Sequence, residues 1–458
     1  MIIMKAGSLN SAVVCAFLYA ATEVTPREGT RPTMACRRFG LMTLCMAFSL
    51  LPLQGQSAEW PQYRGPDLDG ATLETVEPWG HEGPRVVWKI PTPSGFSSFS
   101  VHQGRAFTLV QGEADGASQE ICVALDADSG RRLWEKPIGV AKYDGGGDSG
   151  ASGNDGGDGP RSTPSLDGDW VYVLSSRLYL ACFDAATGEE RWSKDIIRKF
   201  KGRNIRWQSA ASPLIDGEWV FVAGGGPDQS LLAFSKQTGQ VVWKTGDEKM
   251  THATPTAATL HGVRQVIFFT QSGLVAVEAA TGKALWRYAF PYRVSTAASP
   301  IVGGDIVYCS AGYGVGAGAV RITRSGEKFA ATELWRSRGD RPVANHWSTP
   351  VYREGHLYGM FSFKEYGDGP VKCVELATGK VKWEQKGFGP GNVILAGDRL
   401  LALGDAGQLV LIEASPNAYR ELARADILDG KCWSTPVLSG GRVYARSTGE
   451  GVCLEVSP

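Results

Sequence analysis

The chain has 458 residues, with 47 Lys and Arg against 47 Asp and Glu, and so carries no net charge. That balance excludes an electrostatic footprint for nucleic acid or an anionic membrane surface, and 21% charged residues exclude wholesale disorder. Glycine, at 58 residues, is well above its usual ~7% share. With 14 Trp, 14 Tyr and 17 Phe beside it, the composition predicts many short strands joined by turns rather than a helical bundle.

Residues 1–58 read as a targeting segment. The signal is expected to start at Met34. Arg37 and Arg38 give a positive n-region, Phe39 to Leu53 an uncharged and mostly apolar run, and Gln54 to Ala58 a polar end closing on a small residue. This is a secretory pattern, and the run is short for a membrane span. The mature chain is therefore expected in the periplasm or outside the cell, with no stable span after signal removal. Cys45 follows Leu44 rather than a small residue, which argues against a lipid anchor. Removing five basic and two acidic residues leaves 42 against 45, a net charge of −3, and six cysteines.

Residues 59–84 form an N-terminal extension. From residue 85 to 458 one repeat organises the chain. Its core is an acidic or polar residue, then Thr/Ser-Gly, then Trp four residues after the Gly. It reads Asp126, Ser129-Gly130, Trp134, then Asp184, Thr187-Gly188, Trp192. The next copies are Ser235, Thr238-Gly239, Trp243, then Glu278, Thr281-Gly282, Trp286, and Glu375, Thr378-Gly379, Trp383. Ser325-Gly326 with Trp335 is a stretched copy, and Glu413, Ser415-Pro416 with Tyr419 a degenerate one. Successive Trp residues stand at spacings near the ~40–50 residues of a propeller blade.

Six of the polar loops between repeats end in a small residue and Ser/Thr-Pro, as in Ser162-Thr163-Pro164, Ala211-Ser212-Pro213 and Ser348-Thr349-Pro350. A short apolar strand, a turn and a β-branched strand follow. Leu214-Ile215-Asp216-Gly217 before Trp219-Val220-Phe221-Val222 carries the Asp-Gly hairpin signal. Two more strands, split by the Thr-Gly turn, make four antiparallel strands per repeat. The last repeat stops at Glu455 without its Trp strand, whereas Arg85 to Ile90 is an orphan Trp strand. Joining the two closes the ring and removes both sheet edges. The sequence thus predicts an all-β, eight-bladed propeller whose N-terminal strand completes the last blade.

These residues resemble the repeat of the pyrroloquinoline quinone (PQQ)-type propeller family, and the resemblance covers nearly the whole mature chain. Similar propellers include the quinoprotein alcohol dehydrogenases and the outer-membrane assembly factor BamB. The opening Trp60-Pro61-Gln62-Tyr63-Arg64-Gly65-Pro66 is similar to that of secreted single-propeller members. The repeated Trp and Gly are read as structural, since a side chain placed identically in every blade packs blade against blade. The cysteines follow suit. Cys182, Cys373 and Cys453 lie two residues before the acidic position and Cys122 four before it. Equivalent faces of different blades do not meet within the ~7 Å a disulfide needs, so free buried thiols are expected.

No H-E-x-x-H, G-x-S-x-G or C-x-x-C is present. Gly312 to Gly318 is glycine-rich but opens no helix, as a phosphate loop requires, and is read as a long turn in blade 5. The stretch 145–160, with Asp148, Asp155 and Asp158, lacks calcium-loop spacing and is read as a connector. No catalytic residue and no metal ligand is assigned.

Functional candidates are the loops before each Ser/Thr-Pro, which should gather at one mouth of the channel. They contribute Arg161, Trp207, Gln208, His252, Arg293, His346, Trp347 and Trp433. This cationic and aromatic ring suits a small anionic planar ligand, by stacking and charge-assisted hydrogen bonds. The expected role is a secreted or periplasmic binding or scaffold module similar to BamB, with envelope or secreted proteins as partners. The resemblance also implies a rival, a PQQ- and calcium-dependent dehydrogenase acting on an alcohol or sugar.

Overall fold

The computed structural model describes residues 59–143, 159–292, 296–339, 343–361 and 369–457. The targeting segment, the connector aspartates and Arg293 lie outside these residues. Eight sheets follow one another around a ring. Their strands span residues 100–140, 165–195, 214–245, 256–289, 301–337, 351–385, 392–426 and 437–455, numbered here as blades 1 to 8. Blade 3 shows the pattern: Leu214–Asp216, Trp219–Ala223, Leu231–Ser235 and Val241–Thr245 pair antiparallel in that order. Blade 8 takes its fourth strand from the N-terminus, Arg85–Pro91 against Glu450–Glu455. The expected ring closure is what the structure contains.

The repeated Trp docks each blade on the next. Trp243 Nε1 donates to the Ala279 carbonyl at 2.8 Å, and Trp134, Trp335 and Trp383 make the same bond to Ala185, Leu376 and Ser415. The Thr-Gly glycine of the receiving blade lies on the indole. A Cβ at Gly239 would come within 2.6 Å of Trp192. The glycine therefore has two duties, a left-handed turn at φ +65° and a close approach.

The seam between blades 4 and 5 departs from this rule. The blade 5 hairpin runs on to Ser325–Lys328, and the docking carbonyl, Ile322 O, is taken by His261 Nε2 at 2.8 Å. Trp286 turns back to Gln265 Oε1 at 2.7 Å. Tyr419, expected in the seventh Trp strand, lies before it. That strand is Glu421–Asp426, and Ala423 faces Leu411 where other blades place Trp. The turn is two residues longer, closed by Glu413 N–H to Arg420 O, where blade 3 uses Ser235 N–H to Gln240 O.

All six described cysteines are free and buried. Cys182 and Cys373 face Trp192 and Trp383 across the sheet, the position Ala233 occupies opposite Trp243. A small side chain is needed there, and Cys supplies it.

The Ser/Thr-Pro signature proves to be a hydrogen-bonded belt around the channel. Ser98 N–H donates to Thr163 Oγ1, Thr163 N–H to Ser212 Oγ and Ser212 N–H to Thr254 Oγ1, at 3.2, 2.9 and 2.9 Å. Ser299 N–H donates to Thr349 Oγ1, and Thr435 N–H to Ser98 Oγ carries the belt across the closing seam.

The N-terminal extension enters the ring. Trp60 exchanges backbone hydrogen bonds with Val101 of blade 1, and Pro61 O accepts from Leu166 N–H of blade 2. Gln62 pairs both amide atoms with the Ile215 backbone of blade 3. Arg64 donates to Thr349 O and Pro350 O of blade 6. Ala71–Thr72 then adds parallel to Leu395–Ala396 of blade 7. The segment therefore crosses the channel.

Candidate functional site

The loops before the innermost strands converge on a cavity of about 220 Å³ at one mouth of the channel. Every blade contributes, through Phe96, Arg161, Trp207, His252, Ala297, His346 with Trp347, Asn392 and Trp433. The sequence-predicted Arg161, Trp207, His252, His346, Trp347 and Trp433 are brought together here. Gln208 is not in the wall; its amide oxygen accepts from Asn204 Nδ2 at 2.7 Å, on a left-handed backbone at φ 62°. Arg293 lies outside the described residues.

Beside the small Ala210 and Ala297, the wall residues Tyr63, Phe96, Ser98, Tyr313 and Asn392 escaped the sequence pattern. Blade 1 has Ser98-Phe99 and blade 7 Asn392-Val393 where others have Ser/Thr-Pro, so the signature could not mark them. Tyr313 comes from a different turn, and Tyr63 from outside the repeats altogether. The usable signal for Phe96 was its spacing, two residues before the belt serine.

One side of the wall is a continuous aromatic surface. Phe96 stacks on Trp433 at 5.1 Å and 25°, and Trp433 on Trp347 at 5.1 Å and 29°. His346 packs edge-on against both Trp347 and Tyr313. Trp433 is anchored by its Nε1–H to Asp405 Oδ1 at 2.5 Å and by Lys431 Nζ 4.7 Å above its ring. Asn392 Nδ2 fixes its backbone through Trp433 O.

The wall also carries charge. Arg161 Nη1 donates to Trp207 O at 2.7 Å, and its guanidinium lies 5.3 Å over the Tyr143 ring. Tyr143 in turn donates to Glu120 Oε1 at 2.8 Å, and Ser176 N–H to Glu120 Oε2. Burial raises the Glu120 carboxyl above its usual range, against the pull of these donors and Arg161. His252 is buried, and burial, then Arg161 and His346, hold it well below the ordinary imidazole value. It is therefore neutral at pH 7.

The belt hydroxyls Ser98, Thr163, Ser212 and Thr254 also line the cavity. Each of the last three accepts a neighbour's backbone N–H and keeps its own hydroxyl hydrogen to donate. The described wall thus offers donors and aromatic surface, and it contains no Asp or Glu.

That donor set fits a planar ligand rich in acceptors. It does not fit a calcium ion held with PQQ. Calcium takes several oxygen ligands, carboxylates among them, whereas the described wall offers a single side-chain amide, Asn392. Among the described residues no three His, Cys, Asp or Glu side chains cluster as metal ligands, and no helix is long and apolar enough to cross a membrane.

Fold and site together define an eight-bladed PQQ-repeat propeller with a pocket at its channel mouth. The family model described as outer membrane protein assembly factor BamB matches residues 117–355 and 367–455, and the chain belongs to that family. It is 25% identical over 267 residues to the outer membrane protein assembly factor BamB of Shewanella oneidensis, covering 55% of this chain and 64% of that protein. The match thus spans less than two thirds of the relative's length. The crystal structure of BamB from Moraxella catarrhalis is similar, with a TM-score of 0.55 and 16% identity over 81% of this chain and 97% of that one. The quinohemoprotein alcohol dehydrogenase of Comamonas testosteroni has a TM-score of 0.61 at 13% identity, covering 87% and 80%. At these identities both share the fold alone.

Proposed function

We propose that this protein is a BamB-like binding module of the cell envelope, exported by the signal in residues 1–58, whose channel mouth holds a small planar anion. The observation that carries this reading is the wall itself: the stacked Phe96, Trp433 and Trp347 and the Arg161 guanidinium line one cavity whose described wall lacks carboxylates. An acceptor-rich planar ligand stacks on the indoles and takes hydrogen bonds from the guanidinium and the belt hydroxyls. The family and the Shewanella oneidensis relative point to outer-membrane assembly proteins as partners and to the periplasm as the place.

The test is calorimetric titration of 2-naphthoate and of PQQ, with and without calcium, into residues 59–458, which contain every described element of the fold. Calcium-independent 1:1 binding of 2-naphthoate, lost in Arg161→Met with Trp347→Ala, is expected. Calcium-dependent PQQ binding with reduction of an acceptor dye by an alcohol or sugar would instead establish the dehydrogenase. Silence with both compounds would remove the ligand site and leave the scaffold role to be sought by partner capture.

A further inference from the structure

The motif Trp60-Pro61-Gln62-Tyr63-Arg64-Gly65-Pro66 lies outside the repeats, and its geometry gives it a role in the cavity. Gln62 is bonded to Ile215 of blade 3, and Arg64, two residues on, to Thr349 and Pro350 of blade 6. Residues 62–64 therefore span the ring, and Tyr63 stands at the crossing. Its side chain lines the cavity, and its hydroxyl meets Thr349 Oγ1 at 3.2 Å.

The crossing is rigidly built. Arg64 is buried with a left-handed backbone at φ 71°. A Cβ at Gly65 would come within 3.2 Å of the Trp60 ring, and one at Gly70 within 2.7 Å of the Arg64 guanidinium. Both glycines are left-handed, at φ +77° and +79°. Beyond the crossing, Glu74 accepts from the Gly440 and Gly441 N–H groups of blade 8. A chain held on blade 3 by Gln62 and on blade 6 by Arg64 cannot swing aside without breaking buried bonds.

We propose that this segment is the floor of the ligand cavity and that Tyr63 sets the length of ligand the cavity takes. The inference rests on the cavity being the ligand site. A planar anion lies along the Trp347 and Trp433 wall and ends on the Tyr63 phenol, so the channel is a cup open at one mouth. Removing the phenol opens the cup along the axis, the direction in which a ligand can lengthen.

Two probes of equal width test this, 2-naphthoate and anthracene-2-carboxylate, which is one ring longer. In the wild type, 2-naphthoate is expected to bind more tightly. In Tyr63→Ala the ratio of affinities should move toward the longer acid by about tenfold or more, the scale on which a pocket group discriminates. Tyr63→Phe keeps the ring and should keep the wild-type ratio. If Tyr63→Ala does not fold, Tyr63→Leu gives the same test with an apolar side chain retained. A folded variant that binds both acids in the wild-type ratio overturns the floor while the cavity stands. Failure of the wild type to bind either acid overturns the cavity reading and this inference with it.

Discussion

The indole of Trp243 in blade 3 lies against Gly282 of blade 4, where a Cβ would approach the ring to 2.7 Å. The same relation links Trp88 with Gly130, Trp134 with Gly188 and Trp335 with Gly379. Trp243→Ala should therefore cost about 3–5 kcal/mol, as for other buried large-to-small changes. Gly282→Ala meets both a left-handed backbone at φ +72° and the ring. Gly326→Ala meets only the backbone, at φ +60° with nothing within 4 Å, a cost of about 1–2 kcal/mol. Urea melts of the two glycine variants should separate them. Equal losses would show that the indole contact contributes nothing at Gly282.

The belt makes a second prediction. Thr254→Val removes the acceptor of the buried Ser212 N–H and should cost about 1–3 kcal/mol. Thr238→Val, where an exposed hydroxyl accepts from Gln240 N–H at 3.3 Å, should stay within about 0.5 kcal/mol of wild type. Reversed magnitudes in the same melts would remove the belt as a source of ring stability.

At the mouth, Arg161→Met with Trp347→Ala should abolish 2-naphthoate binding and leave the eight blades assembled: it removes the Arg161 bond to Trp207 O and the Trp347 stack on Trp433 but none of the Trp–Gly docking contacts. Intrinsic fluorescence reports both, because Trp207 and Trp433 remain in the wall. Unchanged affinity in the double variant would place the ligand elsewhere.

His252 gives the pH dependence. Its folded value lies well below the ordinary 6.5, through burial first and then Arg161 and His346. Below pH ~6.5 the unfolded chain takes up a proton that the folded chain refuses, so stability falls as the pH drops. Chemical denaturation at pH 7.5 and 5.5 should show the wild type losing stability, and His252→Gln losing less of it. Identical losses in the two proteins would assign the effect to other groups.

Arg446 adds a test at the closing seam. It is fully buried, donates to Thr108 Oγ1, Leu109 O and Pro93 O of the adjoining segment, and is lowered to about 9 by burial. Arg446→Met leaves those acceptors unpaired and should cost about 1–3 kcal/mol. A melting temperature equal to that of wild type would show that the seam does not depend on these bonds.

What the sequence determined by itself was everything set by neighbours along the chain. Alternating strands, Asp-Gly and Thr-Gly turns and the constant Gly-to-Trp step are local, and they were enough to number eight blades and to join Arg85–Pro91 to Glu450–Glu455. Six of the eight expected mouth residues line the cavity, Arg161, His252, Trp347 and Trp433 two residues before their belt hydroxyls, His346 three and Trp207 five. Tertiary structure decided what depends on residues far apart. The belt bonds link equivalent positions about one blade apart. His261 replaces an indole because the blade 5 hairpin is longer, and Ala423 rather than Tyr419 takes the Trp position because one turn grew by two residues. Tyr63 reaches Thr349 over 286 residues of sequence. No period encodes that contact, because it exists only once the ring has closed and the N-terminal segment has been laid across it.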